Sequence, residues 1–408
     1  LYKSGETEAA INEFLTLQQK FPKSLYAENS LFTIGFIRFQ NGDYKEAIED
    51  YRNVLQIYKN SSLAPVVYYS IGDAFFNQEM YDSAVVNYQN VVKKYPSSEY
   101  VFDAVNGIQY SYVAMGRPEN AVDLIDRFIG QNPNMKFSDQ IYFKKGEIYY
   151  SQGDYQKAKI SYQEFIAKYP KSTYVPEAYY WLGKSCQNLK QDDEAIFYFT
   201  KVFENYPSSE SAAVSVIELG KIYETTGNYT ASIELLEKAS KILKDSPRLP
   251  EILFIKGTTY IKADDVQKAY GTFEDLAMYH PETLFADKAK FEMGLIDLAA
   301  ERYEIANNHF LEVAEKRTDE LGARSQYYFG LSLFEQNKIT EAISALVRIK
   351  TVYSLYDEWL TRSYILLGDC YVKLNDKRKA EEMYRVVIAK HKTDAFGEEA
   401  RQKINKLK

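Results

Sequence analysis

The chain has 408 residues, 46% of them hydrophobic and 26% charged, a balance that neither a disordered nor a membrane-spanning polypeptide shows. A formal charge of -7 disfavours nonspecific attraction to nucleic acid or anionic lipid, and with His 3, Cys 2 and Trp 2 the side chains most used in catalysis and metal binding are scarce. At roughly 100 to 200 residues per domain the length suggests two to four domains, unless the chain is one repeat array.

In chain order, residues 1–24 read as the second half of a truncated unit, because Ala10 stands 37 residues before Ala47. Ten complete units follow over residues 25–392. Nine of them carry a marker glycine: Gly35, Gly72, Gly146, Gly183, Gly220, Gly257, Gly294, Gly330 and Gly368, spaced by 37 or its double except for final intervals of 36 and 38. Gln109 fills the one vacant slot. Twelve residues after each marker comes a small residue, from Ala47 and Ala84 through Ser232 to Ala380. Four residues further on stands a large apolar one, such as Tyr51, Tyr88, Tyr162, Phe273 or Tyr384. A fixed period of this length means stacked supersecondary units, each unable to bury its own apolar face alone.

Within the unit Tyr142 to Tyr169, apolar residues fall three and four apart on both sides of Gly153-Asp154, which predicts two amphipathic helices joined by a tight turn. Gly42-Asp43 and Gly227-Asn228 repeat that turn. The marker glycine and the small residue are expected on facing helices, where they let the backbones approach closely. Pro65, Pro176 and Pro250 stand seven before a marker, in the first turn of a helix. Between units, segments such as Pro22-Lys23-Ser24, Pro170-Lys171-Ser172 and Pro281-Glu282-Thr283 pair a proline that stops one helix with a hydroxyl suited to cap the next. Residues 393–408 end in a polar-faced helix from Glu398 that suits a solvating cap. At the other end, Leu1 to Phe21 reads as a seam for a preceding hairpin, so the natural protein is expected to continue N-terminally.

The order Tyr179, Gly183, Ala195, Phe199 and Pro207, with its copies along the whole chain, resembles the tetratricopeptide repeat. The resemblance implies an all-α, right-handed α-solenoid of about ten hairpins whose first helices line a concave groove. That repeat is usually about 34 residues. The three additional residues lie between the proline and the next hairpin, since the alanine-to-proline interval is a constant 12 in Ala84 to Pro96 and Ala158 to Pro170. The Tyr-Pro-x-Ser variant is similar to tetratricopeptide proteins of the bacterial cell envelope, of the outer-membrane assembly lipoprotein and Tol-Pal coordinator types. It implies a periplasmic, outer-membrane-associated location, with the cytoplasm as the alternative.

No dinucleotide, P-loop, zincin or nucleophile-elbow motif is present. His280, His309 and His391 lie in different repeats, and His280 takes the slot of Tyr95 and Tyr169, so no metal site is expected. Cys186 reads as a core filler, and Asp192-Asp193 and Asp264-Asp265 as solvated turn residues. No catalytic residue and no cofactor follow from the sequence. By resemblance, the groove-facing positions lie three before, one after and four after the marker. Three before gives Phe32, Tyr69, Phe143, Tyr180 and Phe254; one after gives Asp73, Glu147, Lys184 and Lys221; four after gives Phe39, Phe76 and Tyr150. These rings either take up a partner segment, with the polar groups setting register, or pack against the adjacent repeat. Family members that clamp a C-terminal carboxylate cluster Lys, Arg and Asn in the groove; here only Lys184 and Lys221 are basic one after the marker, which favours an extended or helical apolar segment instead. The expected role is a noncatalytic scaffold or adaptor for other proteins or peptide segments, without nucleic acid and without membrane insertion by these residues, in a bacterial envelope assembly or secretion complex. Two alternatives stand beside it: a substrate-recruiting region of a larger enzyme with its catalytic domain N-terminal to this chain, and a structural spacer.

Overall fold

A computed structural model describes residues 5–133, 135 and 137–407, and every regular element among them is a helix. After α1 (Thr7–Lys20) come the pairs α2 (Leu25–Asn41) and α3 (Tyr44–Ile57), α4 (Ala64–Asn77) and α5 (Tyr81–Lys94), α6 (Val101–Ala114) and α7 (Pro118–Gln131), α8 (Ser138–Ser151) and α9 (Tyr155–Lys168), and α10 (Val175–Asn188) and α11 (Asp192–Asn205). They continue with α12 (Glu210–Thr225) and α13 (Tyr229–Ile242), α14 (Leu249–Lys262) and α15 (Val266–Tyr279), α16 (Leu284–Ala299) and α17 (Tyr303–Lys316), α18 (Glu320–Glu335) and α19 (Ile339–Val352), α20 (Asp357–Lys373) and α21 (Lys377–Lys390), and end with α22 (Ala395–Leu407). The chain forms two compact units, Leu1–Tyr198 and Phe199–Lys408. Each is an α-solenoid of hairpins.

The marker glycine is there for a ring. A Cβ at Gly35, Gly72 or Gly294 would lie 2.7, 2.5 or 2.6 Å from the ring of Tyr51, Tyr88 or Phe310, sixteen residues on in the second helix of the same hairpin. Tyr162, Phe273 and Tyr384 close off Gly146, Gly257 and Gly368 in the same way. These rings are at most 2% exposed, and the alanines one helical turn before them are buried too. The glycine and the alanine lie on facing helices of one hairpin, and the large side chain one turn beyond the alanine stands nearest the glycine. Gly220 is an exception, with Ile255 Cγ2 at 3.2 Å and Leu236 Cδ2 at 3.9 Å as the nearest atoms. At the vacant slot, Gln109 is 7% exposed and its Oε1 has no hydrogen-bond partner.

All ten hairpin turns place the residue seven after the marker position in left-handed backbone. Glycine does so at Gly42, Gly116, Gly153 and Gly227, while Glu79, Lys190, Asp264, Glu301, Asn337 and Asn375 do it with a side chain, at φ between 57° and 61°. At Gly153 the turn is closed by Gly153 N–H donating to Tyr150 O and Asp154 N–H to Tyr149 O, both at 3.0 Å. Asp154 then caps α9 by accepting from Lys157 N at 3.1 Å.

The loops between repeats take two forms. Ser24 and Thr283 cap the next helix directly, accepting from Ala27 N at 3.1 Å and Ala286 N at 3.2 Å. Ser98 and Ser172 instead accept from Tyr100 N and Tyr174 N, two residues on, and the helix begins one residue later. Pro65, Pro176 and Pro250 occupy the first helical turn. Within the first unit α2 touches α4, α4 touches α6 and α8 touches α10; within the second, α12, α14, α16, α18 and α20 touch in succession. The first helices therefore form a layer, unbroken from α12 to α20 in the second unit, and the candidate binding positions ride on it.

Candidate partner-binding face

The rings three before the marker stand on the buried ring of their own hairpin. Phe32 lies 5.5 Å from Tyr51, Tyr69 5.7 Å from Tyr88, and Phe254 5.8 Å from Phe273. Their outer edges meet the next repeat: Tyr69 is 5.9 Å from Tyr100, and Phe254 5.9 Å from Phe285. These three rings stay half-buried. Phe143 does not. It is 2% exposed, enclosed by Tyr162, Phe165 and Tyr174, all at 5.3 Å, so the expectation that it faces a partner is corrected and it belongs to the core. Tyr180 is half-buried, edge-on to Trp181 at 5.3 Å.

The rings four after the marker close the mouths of their hairpins. Phe39 meets Tyr44 at 5.4 Å, Phe76 meets Tyr81 at 5.3 Å and Tyr150 meets Tyr155 at 5.2 Å, each edge to face and each leaving one side half-open. The partner is the tyrosine that opens the second helix, a position whose recurrence nine after the marker was readable in the sequence. Tyr150 also meets Trp181 of the next repeat edge to face at 4.8 Å, and its hydroxyl accepts from Asn188 Nδ2 at 3.1 Å.

Of the polar positions one after the marker, Asp73 serves the hairpin itself. Tyr88 Oη donates to its Oδ1 at 2.6 Å, and burial pushes the carboxyl above its ordinary range. Asp369 receives Tyr384 Oη the same way at 2.7 Å. In the repeat that has Glu147 instead, the carboxylate pairs with Lys144 at 2.7 Å and the buried Tyr162 hydroxyl has no hydrogen-bond partner among the described residues. Lys184 Nζ donates to Gln187 Oε1 at 2.9 Å. Lys221 is exposed and pairs with Glu218 at 2.9 Å.

Family models described as the tetratricopeptide repeat match residues 29–61, 140–172, 176–209, 214–242, 291–349 and 361–388. The chain is a tetratricopeptide repeat protein. A model described as outer membrane lipoprotein matches residues 63–148. Tetratricopeptide repeat protein 37 of Xenopus laevis is 22% identical over 219 residues, which is 52% of this chain and 14% of that one. Regulatory protein RapD of Bacillus subtilis is 30% identical over 136 residues, 31% of this chain and 36% of that one. This chain thus spans well under half of either relative. The crystal structure of a signal transduction ATPase with numerous domains from Pyrococcus horikoshii, which has a tetratricopeptide repeat sensor, superposes with a TM-score of 0.52 at 14% identity, covering 87% of this chain and 57% of that one. That likeness shows the fold.

Tetratricopeptide arrays are protein–protein interaction scaffolds, and this one has a further set of first-helix side chains that the three groove phases do not include. Six before the marker, the series runs Asn29, Val66, Asp103, Gln140 and Glu177, then Val214 and Glu251, then Lys288, Arg324 and Arg362. Each of the last three lies against two rings, and aligning the repeats at that phase would have exposed the run of cations. The groups that could carry chemistry are otherwise closed off. Cys186 and Cys370 are fully buried, and burial pushes their thiols up to about 11 and about 12, so both stay protonated and unreactive. Asp297 is fully buried, held by Arg302 Nε at 2.7 Å and Tyr270 Oη at 3.1 Å. Among the described residues no group of three or more His, Cys, Asp or Glu could hold a metal ion, and no helix is long and apolar enough to cross a membrane.

Proposed function

We propose that this tetratricopeptide chain is a noncatalytic scaffold that holds partner polypeptide segments along its first-helix face, within a bacterial envelope assembly or secretion complex. One observation carries the reading: half-buried rings recur at fixed phases, among them Phe32, Tyr69, Tyr180 and Phe254 before the markers and Phe39, Phe76 and Tyr150 after them. Neighbouring rings already hold each of these, so little side-chain entropy remains to be lost when a partner covers the open side. Glu147, Lys184 and Lys221 stand beside them as the groups that set register. The outer membrane lipoprotein match over residues 63–148 and the Tyr-Pro-x-Ser loops support the envelope setting.

The test is a photo-crosslinking residue placed at Tyr69, Phe76 or Tyr180 in the first helices, or at Val86 or Ile160 on exposed sides of second helices. The scaffold reading predicts discrete partner adducts from the first-helix positions only. Adducts of equal yield from Val86 and Ile160 would remove it. Subcellular fractionation tests the setting separately, since recovery wholly in the cytosolic fraction contradicts the envelope assignment and leaves the scaffold standing.

A further inference from the structure

In the second unit the first-helix face carries a stack of alternating rings and cations. Lys288 Nζ lies 5.7 Å from the Phe254 ring of the preceding repeat and 5.3 Å from Phe285 in its own helix. Arg324 Cζ lies 4.6 Å from Phe291 and 5.6 Å from Trp359, rings contributed by the repeats on either side. Arg362 Cζ continues the series, 5.5 Å from Trp359 and 5.4 Å from Phe396 in α22, with Glu358 of its own helix answering its charge at 2.9 Å. A cation held between two rings is fixed in place, while the rings, which carry no net charge, leave it without a formal counter-charge.

The charge is least answered at Lys288 and Arg324. Among the described residues neither pairs with a carboxylate, and Arg324 Nε is buried without a hydrogen-bond partner. Both line an open cleft of about 440 Å³ between α14, α16 and α18. Three acids border the same cleft, and among the described residues none of them lies within ion-pair distance of Lys288 or Arg324. Asp319 is engaged by Arg317, which holds its carboxyl below the ordinary range. Burial raises the Glu292 carboxyl above its ordinary range, and the Arg324 charge draws it back down. Glu320 accepts a hydrogen bond from Trp359 Nε1 at 3.3 Å. The cleft therefore presents two unpaired donors of positive charge between aromatic walls, with a third cation one repeat further on.

Resting on the scaffold reading, we infer that the second unit binds an acidic segment of a partner polypeptide, its Asp or Glu carboxylates on Lys288, Arg324 and Arg362 and its apolar side chains against the intervening rings. A guanidinium can take a carboxylate through two parallel N–H···O bonds, which gives Arg324 the strongest and most directional share. This replaces the apolar segment expected from the groove phases with a carboxylate-bearing one for this unit. One cation per repeat, on helices that touch in succession, suits an extended chain that offers acids at intervals.

The test uses the full chain and a fluorescein-labelled peptide of alternating glutamate and leucine, with the lysine–leucine peptide of the same length as control. The expected result is saturable binding of the glutamate peptide, weakened by added salt, and about tenfold or more tighter than the lysine peptide. Arg324→Gln is expected to lose most of that preference and the Lys288→Gln/Arg324→Gln/Arg362→Gln variant all of it, whereas Arg324→Lys keeps charge and salt sensitivity with part of the affinity. A thermal melt of each variant separates lost binding from lost folding, and any variant that melts early is replaced by the charge-retaining Arg324→Lys. Equal binding of the two peptides, unchanged binding by the triple variant, or no binding of the glutamate peptide overturns the inference. Tighter association with phosphatidylserine vesicles than with the glutamate peptide overturns it as well. None of these results touches the scaffold reading, which stands or falls on the crosslinking pattern.

Discussion

The two units build their first-helix faces from the same backbone phases with different chemistry. In the first unit rings meet rings, as in Phe39 on Tyr44, Phe76 on Tyr81 and Tyr150 on Tyr155, and the position six before the marker is neutral or acidic. In the second unit the mouth positions are mostly aliphatic, and the last three repeats put Lys288, Arg324 and Arg362 between rings. A first-helix lysine does touch a ring in the first unit, Lys145 over Tyr142 at 4.7 Å, but Asp126 at 2.8 Å answers its charge, as Glu358 at 2.9 Å answers Arg362 in the second; Lys288 and Arg324 have no such carboxylate among the described residues. The difference separates what the repeat needs from what it can vary. The marker, the alanine and the large residue four beyond it are fixed by close packing inside each hairpin, in both units alike. The position six before the marker packs only at its edges, so its charge is free to differ from one unit to the next.

If the hairpin framework is common to both units, breaking it in either should cost the same. Gly72→Ala in the first unit and Gly368→Ala in the second each drive a Cβ into a buried tyrosine, and each is expected to lower stability by about 2–3 kcal/mol in urea denaturation. Gly220→Ala, which meets Ile255 at 3.2 Å and Leu236 at 3.9 Å, should stay within about 0.5 kcal/mol of the parent because gained helix propensity offsets the tight contact. A large loss at Gly220, or a loss in one unit alone, would break the idea of a shared framework.

The tyrosine hydroxyls sharpen the comparison within the first unit. Tyr88→Phe takes a donor from the half-buried Asp73 and should cost about 1–2 kcal/mol. Tyr162→Phe removes a buried hydroxyl that bonds to nothing, and should be neutral or stabilising by up to about 1 kcal/mol in the same assay.

The first unit also carries a pH dependence of its own. Asp50 is pushed up from 3.8 to about 6, burial outweighing the Arg38 guanidinium at 2.8 Å. The folded state then holds this proton more tightly than the unfolded chain does, so the contribution is fully present below about pH 4 and is lost as pH rises through about 6. Stability of the parent should fall by about 2–3 kcal/mol over that range, and Asp50→Asn should flatten the profile.

The smallest effects lie at the turns, where both units again behave alike. Lys190→Gly and Glu301→Gly relieve left-handed backbone, with an expected gain of about 0.5–1 kcal/mol each, while Gly153→Ala should lose about 1 kcal/mol. Thermal midpoints moving in the opposite directions would mean that the turn geometry is not set by this position.

The period, the hairpins and the capping loops were readable because each follows from residues that recur at one phase and face a local partner. Phe143 was not readable as core, because its exposure depends on the neighbour. Phe32 is followed by Leu63 at the start of the next helix and stays half-open, whereas Phe143 is followed by Tyr174 and has Phe165 below it, and closes. The six turns without glycine left no compositional trace at Glu79 or Lys190; only their phase marks them. The cation stack was not legible in the sequence for a different reason. The groove phases taken from the family resemblance lie at the middle of the first helix, and Lys288, Arg324 and Arg362 lie closer to its start.

The central claim is that the first-helix faces bind polypeptide and that the second unit's face selects acidic chains. Hydrogen–deuterium exchange of the full chain with and without the glutamate–leucine peptide tests it most directly. The account predicts slowed exchange in the N-terminal halves of α16, α18 and α20, abolished by the Lys288→Gln/Arg324→Gln/Arg362→Gln variant. Protection confined to the second helices α15, α17 and α19, or equal protection by the lysine–leucine peptide, would contradict it.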